Sequence, residues 1–99
     1  MNLRSINLWK VRNKVKSAAF LKALGNAKRL EIVGILRKGE KKLGDLEKII
    51  GISQSALSQH LAVLRTAGIV STRRSAQSVF YSLSDNKCHR LLELLDELF

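Results

Sequence analysis

At its centre the chain runs Gly51-Ile52-Ser53-Gln54-Ser55-Ala56-Leu57-Ser58-Gln59-His60-Leu61-Ala62-Val63-Leu64-Arg65-Thr66-Ala67-Gly68-Ile69-Val70. At about 100° per residue, Leu57, Leu61 and Leu64 cluster on one side of a helix and form a stripe that has to be buried. Ser55, Ser58, Gln59 and Ala62 then point the opposite way, with Gln54 at the exposed leading turn. Ser53 is a good N-cap, because its side-chain oxygen can accept from a free backbone N–H of the first turn. Gly68 terminates the segment, so a helix is predicted over 54–67. Exposed helix faces usually carry Lys and Glu. This one carries short polar side chains that let a backbone come close, and no carboxylate to repel a phosphate.

Working outward, Gly51 closes a short predicted helix, Lys42 to Ile50, with Leu43, Leu46 and Ile50 inward. Before it lies a helix over 27–38, apolar over a wide arc (Leu30, Ile32, Val33, Ile35, Leu36), which marks it as the central one. Asn26 can cap it, and Gly39 ends it. A first helix near 10–24 places Val11, Val15, Ala18 and Ala19 on one face, and Gly25 stops it. On the C-terminal side, Ile69–Arg73 and Ser78–Leu83 are β-prone, joined by Arg74-Ser75-Ala76-Gln77. Val79 and Tyr81 alternate with Ser78, Phe80 and Ser82, the period-2 pattern of a hairpin. Ser84 or Asp85 caps a last helix with Cys88, Leu91, Leu92, Leu95 and Leu98 on one side. The fold class is therefore mainly α with a small β-hairpin, in the order α-α-α-α-β-β-α. That is the layout of a winged helix-turn-helix domain over 10–99, preceded by a basic N-terminal arm over 1–9.

Charge narrows the function. The 99 residues carry a net charge of +10, which points to a polyanion, nucleic acid first and an anionic membrane surface second. Its distribution is uneven. Arg4, Lys10, Arg12, Lys14, Lys16 and Lys22 lie within residues 1–22 without an acidic neighbour, and residues 48–84 contain no Asp or Glu. Asp85, Glu93, Asp96 and Glu97 fall near the C-terminus, so the middle of the chain is the candidate DNA face and the last helix is not. A single cysteine, Cys88, excludes an intrachain disulfide and suits a reducing cytoplasm. Arg4 and Lys10 interrupt the apolar residues at the start, so neither a signal peptide nor a membrane span is expected there. A chain of this length buries only about two thirds of its unfolded surface, so a subunit interface would extend a thin core.

On this reading Ser53, Gln54, Ser55, Ser58, Gln59 and His60 form the DNA-binding face of a recognition helix, whose N-terminal residues enter the major groove. Gln can bond adenine N6 and N7 bidentately, and Ser can donate to or accept from several bases. His60, at the edge of the apolar stripe, bonds the backbone or a phosphate, and Arg65 meets a phosphate or solvent. At the hairpin tip, Arg73 and Arg74 with Gln77 beside them can contact phosphates or enter the minor groove. With two His, one Cys, no Gly-rich phosphate loop and no metal-ligand cluster, catalysis is not expected, nor a cofactor.

These motifs resemble the ArsR/SmtB family of bacterial winged-helix repressors. The resemblance covers roughly Phe20 to Leu98 and rests on Leu21-Lys22-Ala23-Leu24-Gly25-Asn26-Ala27-Lys28-Arg29-Leu30, Ser53-Gln54-Ser55-Ala56-Leu57-Ser58-Gln59-His60-Leu61 and Ser71 to Tyr81. Within the family the central segment is most similar to the NolR/HlyU/BigR-like branch. The resemblance implies a homodimer formed by the first and last helices, binding double-stranded DNA at a palindromic operator and repressing transcription in the cytoplasm; neither RNA nor a membrane is an expected partner.

The family's sensing sites are the departures. Members that sense metals through the third helix carry thiolates, where this chain has Lys42-Leu43-Gly44-Asp45-Leu46, so the ligands of a soft metal are absent. The C-terminal zinc site pairs an Asp and a His with later ligands. Here Asp85 is kept, but Lys87 and Leu98 stand at ligand positions. Thiol-sensing members place a cysteine in the second helix, where Gly34 stands. No metal is therefore expected. Cys88, beside His89, is left as a candidate thiol switch or as a buried apolar filler. Two alternatives to a metal-independent repressor stay open: a thiol- or ligand-responsive switch of the same fold, and a general nucleic-acid or protein-interaction module driven by charge.

Overall fold

A computed structural model describes residues 11–99, with side chains from residue 13 onward. The predicted basic arm, with its Leu3, Ile6, Leu8 and Trp9, lies outside the described residues, as does the side chain of Val11. The elements are α1 (Val11–Leu24), α2 (Ala27–Leu36), β1 (Lys41–Lys42), α3 (Leu43–Ile50), α4 (Gln54–Thr66), β2 (Val70–Ser75), β3 (Ser78–Leu83) and α5 (Asn86–Leu98).

The turns form for local reasons. Asn26 Oδ1 accepts the backbone N–H of Arg29 at 3.1 Å and starts α2. Gly51, at φ 72°, reverses the chain between α3 and α4, and its N–H donates to the Glu47 carbonyl. After α4, Gly68 at φ 74° lets the Ile69 N–H reach back to the Leu64 carbonyl at 2.9 Å, closing the helix end. α2 ends at Leu36 and passes through a turn at Arg37 and Lys38, so it is shorter than its apolar pattern predicts. β2 is longer than expected and runs to Ser75.

One element is absent from the sequence reading. β1 pairs antiparallel with β3 (Lys41 opposite Tyr81, Lys42 opposite Phe80), so the hairpin is part of a three-stranded sheet in the order β1-β3-β2. Two residues have no periodicity of their own, and this strand exists only because β3 offers it an edge.

The core is built around α2, where Ile32 and Val33 are fully buried. Leu46, Leu57, Leu61 and Leu64 from the helix-turn-helix pack with them. Ala23 and Leu24 of α1, Ile69 and Val70, and Cys88 and Leu92 of α5 close it. The apolar face that periodicity picks out on α1 is not the one this chain buries. Phe20, Ala23 and Leu24 turn inward, whereas Val15 is 62% exposed and Ala18 and Ala19 lie open. At the far end of α5, Leu98 is likewise 62% exposed.

Candidate nucleic-acid interface

α4 separates anchoring from display. Leu57, Leu61 and Leu64 are at most 1% exposed, while Gln54, Ser55, Ser58, Gln59, Ala62 and Arg65 are exposed. Ser53 caps the helix as expected, its Oγ accepting the Ala56 N–H at 3.1 Å, and its hydroxyl hydrogen remains free to donate. Capping presents the free N–H groups and positive dipole end of α4 beside the Gln54 side chain, an arrangement that favours a phosphate.

His60 is half-buried, and its Nδ1 lies 3.4 Å from Arg29 Nη1. A guanidinium has only donors, so Nδ1 is the acceptor in this contact. Arg29 Nε donates in turn to the Ala23 carbonyl. The recognition helix is thus tied at His60 to the α1–α2 corner, a link with no signature in the sequence.

The structure corrects the placement of the wing arginines. β2 and β3 are joined by only Ala76 and Gln77, with Ala76 at φ 54°, so Arg73 and Arg74 belong to β2 and not to the tip. Arg73 is engaged. Its Nε and Nη2 donate to the two carboxylate oxygens of Glu40 at 2.8 and 2.6 Å, and its guanidinium lies 4.2 Å over the Phe80 ring. The hydrogen bonds from Arg73 hold the Glu40 carboxyl below its ordinary pKa and raise that of Arg73. Arg74 and Gln77 are exposed and make no side-chain hydrogen bond among the described residues. Glu40 gave no advance signal, being a lone carboxylate ahead of a two-residue strand.

The sensing positions are equally plain. Asp85 caps α5, accepting the Lys87 N–H at 2.9 Å, and the Lys87 ammonium lies 3.5 Å from its carboxylate, an ion pair where a ligand pair would stand. Among the described residues, no three His, Cys, Asp or Glu side chains gather as a metal site. Gly34 is half-buried on α2, and a Cβ added there would meet open space. Cys88 is 2% exposed, and burial pushes its thiol up to about 11, with the Asp85 charge adding to the effect and Arg37 opposing it. Such a thiol is protonated at neutral pH and is a poor nucleophile. No described helix is long and apolar enough to cross a membrane.

A helix-turn-helix with its polar face outward, flanked by a three-stranded wing, defines a winged-helix regulator that binds DNA. The sequence pattern described as bacterial regulatory protein, arsR family, matches residues 26–72, from the α2 cap into β2. The transcriptional activator HlyU of Vibrio cholerae is 43% identical over 99 residues, all of this chain and 88% of that protein. Its solved structure superimposes with a TM-score of 0.85 at 44% identity, covering 91% of this chain and 98% of that one. The biofilm growth-associated repressor of Agrobacterium fabrum is 46% identical over 82 residues, 83% of this chain and 70% of the relative. A Mycobacterium bovis domain, Mb0332, whose solution structure is described as a homodimeric winged helix-turn-helix, aligns with a TM-score of 0.79 at 26% identity, covering 91% of this chain and 86% of that one. The chain belongs to the ArsR family of transcription regulators.

Proposed function

We propose that this protein is a cytoplasmic, homodimeric repressor that reads a palindromic operator without a metal inducer, and that acts by binding alone. One observation carries the reading: α4 exposes Gln54, Ser55, Ser58 and Gln59 on a face opposite its buried leucines, inside a span, residues 48–84, free of carboxylates. Gln54 and Gln59 read base edges in the major groove, Ser53, Ser55, Ser58 and His60 contact bases and phosphates nearby, and Arg74 and Gln77 of the wing flank the duplex. The dimer forms through α1 and α5. Val15 and Leu21 on α1, with Leu94 and Leu98 on α5, are between 47% and 62% exposed in the single chain, and a second copy would remove that apolar surface from water. Two-fold symmetry then spaces the half-sites about one helical turn, roughly 34–36 Å, apart.

HlyU is named an activator and the Agrobacterium relative a repressor, so the direction of control rests on where the operator lies relative to the promoter. We assign repression by occlusion, and deletion of the gene is expected to raise transcription from the bound promoter. The deeply buried, protonated Cys88 argues against a thiol switch, and oxidant is expected to leave DNA binding unchanged.

Selection of bound sequences from random DNA tests the reading. A palindrome is expected, with affinity falling steeply as salt rises. A Gln54→Ala/Gln59→Ala protein should lose roughly tenfold or more of its preference at each lost base pair while melting normally. Equal affinity for selected and random DNA at about 0.15 M salt would replace it with a charge-driven nucleic-acid module.

A further inference from the structure

We propose that Glu40 and Arg73 form a strut that sets the wing against the helix-turn-helix, so that Arg73 is a positioning residue and Arg74 supplies the wing's charge to the DNA backbone. The inference rests on the DNA-binding reading above and deepens it.

Lys42, Phe80 and Arg73 are direct neighbours across β1, β3 and β2, and they share one face of the sheet. Tyr81 packs against the core from the other face, so this row points away from it. On this outer face the side chains are held by contacts with one another. Phe80 supplies the platform: the Arg73 guanidinium stacks at 4.2 Å and the Lys42 ammonium lies at 5.7 Å. Glu40 then grips Arg73 through both carboxylate oxygens, in the fork geometry only arginine offers. Glu40 immediately precedes β1, and Lys42 is the N-cap of α3. The grip therefore joins the wing directly to the entrance of the helix-turn-helix.

The same geometry removes Arg73 from the set of free cations. One hydrogen-bonding edge is on Glu40 and one face is on Phe80. A phosphate arriving at Arg73 would meet the Glu40 carboxylate beside it. Residues 48–84 carry no acidic side chain, so Glu40 is brought to this span from outside it. Its placement makes sense as a brace and works against a phosphate contact at the same spot. Arg74 is the next residue, on the opposite face of the strand, exposed and without such a partner among the described residues.

The two roles predict opposite signs for Glu40→Gln. That substitution removes a negative charge, so simple electrostatics raises DNA affinity. A strut predicts weaker binding to the selected operator, roughly two- to fivefold, the scale of an exposed ion pair. Arg73→Lys keeps the positive charge and should fall by a similar factor, with the slope of log affinity against log salt unchanged. The double variant should be little worse than either single one. Arg74→Ala should weaken binding and reduce that slope by about one. In the free proteins, amide exchange in β2 and β3 should quicken for Glu40→Gln and Arg73→Lys, and not for Arg74→Ala. Tighter binding by Glu40→Gln, or full affinity in Arg73→Lys with a lower slope in Arg73→Gln, would overturn the strut and make Arg73 a phosphate contact. If the unaltered protein prefers no sequence, the operator reading fails instead, while the exchange measurement still decides whether the brace exists.

Discussion

The recognition helix and the wing face the same problem, holding surface side chains in place, and solve it in different ways. α4 has a core behind it. Leu57, Leu61 and Leu64 fix its position from the inside, and its outward polar side chains are left without obligations to the protein. The wing extends past the core, with Arg74, Ser75, Ala76 and Gln77 all exposed. It is fixed from the outside by an ion pair and a stacked ring, and so one of its two arginines is consumed. Where the core lies directly behind an element, anchoring and recognition divide between its faces; toward the hairpin's end, where the core no longer reaches, they compete for the same residues.

The largest effect is expected at Leu61. Leu61→Ala leaves a cavity in a closed core and should cost about 2–5 kcal/mol in chemical denaturation. A cost under 1 kcal/mol would mean that α4 is not held from within, against the ~25 cal/mol per Å² that burial normally contributes. Cys88 offers a check on the same core from α5. Its folded pKa of about 11 lies above the ordinary value of 9.0, so the folded state keeps the proton longer than the unfolded chain does. The stabilisation is complete below pH 9 and is lost as pH rises toward 11, by about 2–3 kcal/mol at most. Stability should fall more steeply across that window in the unaltered protein than in Cys88→Ala, and equal slopes would show that the thiol is wet.

Ser53 has two roles to separate, since it caps α4 and also lies on the end proposed to face DNA. Ser53→Ala should lose about 1 kcal/mol through the missing cap. Ser53→Asp should keep the cap yet bind operator more weakly, since it places a carboxylate among phosphates. Thermal melting separates the two effects, and equal DNA affinity in both variants would remove Ser53 from the interface. Phe80→Leu should have the smallest effect on stability, about 0.5–1 kcal/mol for the lost stacking on a half-buried ring. Faster amide exchange confined to β2 and β3 is the expected signature, and exchange unaltered there would mean that the ring does not brace the wing.

The same division explains what could be read in the sequence. A helix with one buried face writes its anchors at a fixed period, so Leu57, Leu61 and Leu64, the Ser53 cap and the exposed Gln54 and Gln59 were all legible. The face that α1 turns inward was not, because Val15, Ala18 and Ala19 make as good an apolar row as Phe20, Ala23 and Leu24. Only the neighbouring elements decide which row is buried. β1 is too short to have a pattern, and it brings Lys42 to Phe80 and Glu40 to Arg73 only after the sheet has formed. A carboxylate 33 positions from its partner has no local signature. Nor does Arg29, 31 positions from His60. The length of the hairpin turn is equally unmarked: neither Ala76 nor Gln77 announces a two-residue connection, since Asn and Gly are the usual residues there.

The separation between Glu40 and Arg73 also bears on the order in which the molecule assembles. α4 and the β2–β3 hairpin are local structures that form on microsecond timescales. The Glu40–Arg73 grip closes a long loop and has to wait until β1 has docked, so it belongs to the last, downhill part of folding. A contact absent from the transition state acts as a latch: it slows opening and leaves closing untouched. Substitution at Glu40 should therefore raise the unfolding rate with little change in the folding rate. The wing's lifetime, more than its formation, is what the carboxylate controls.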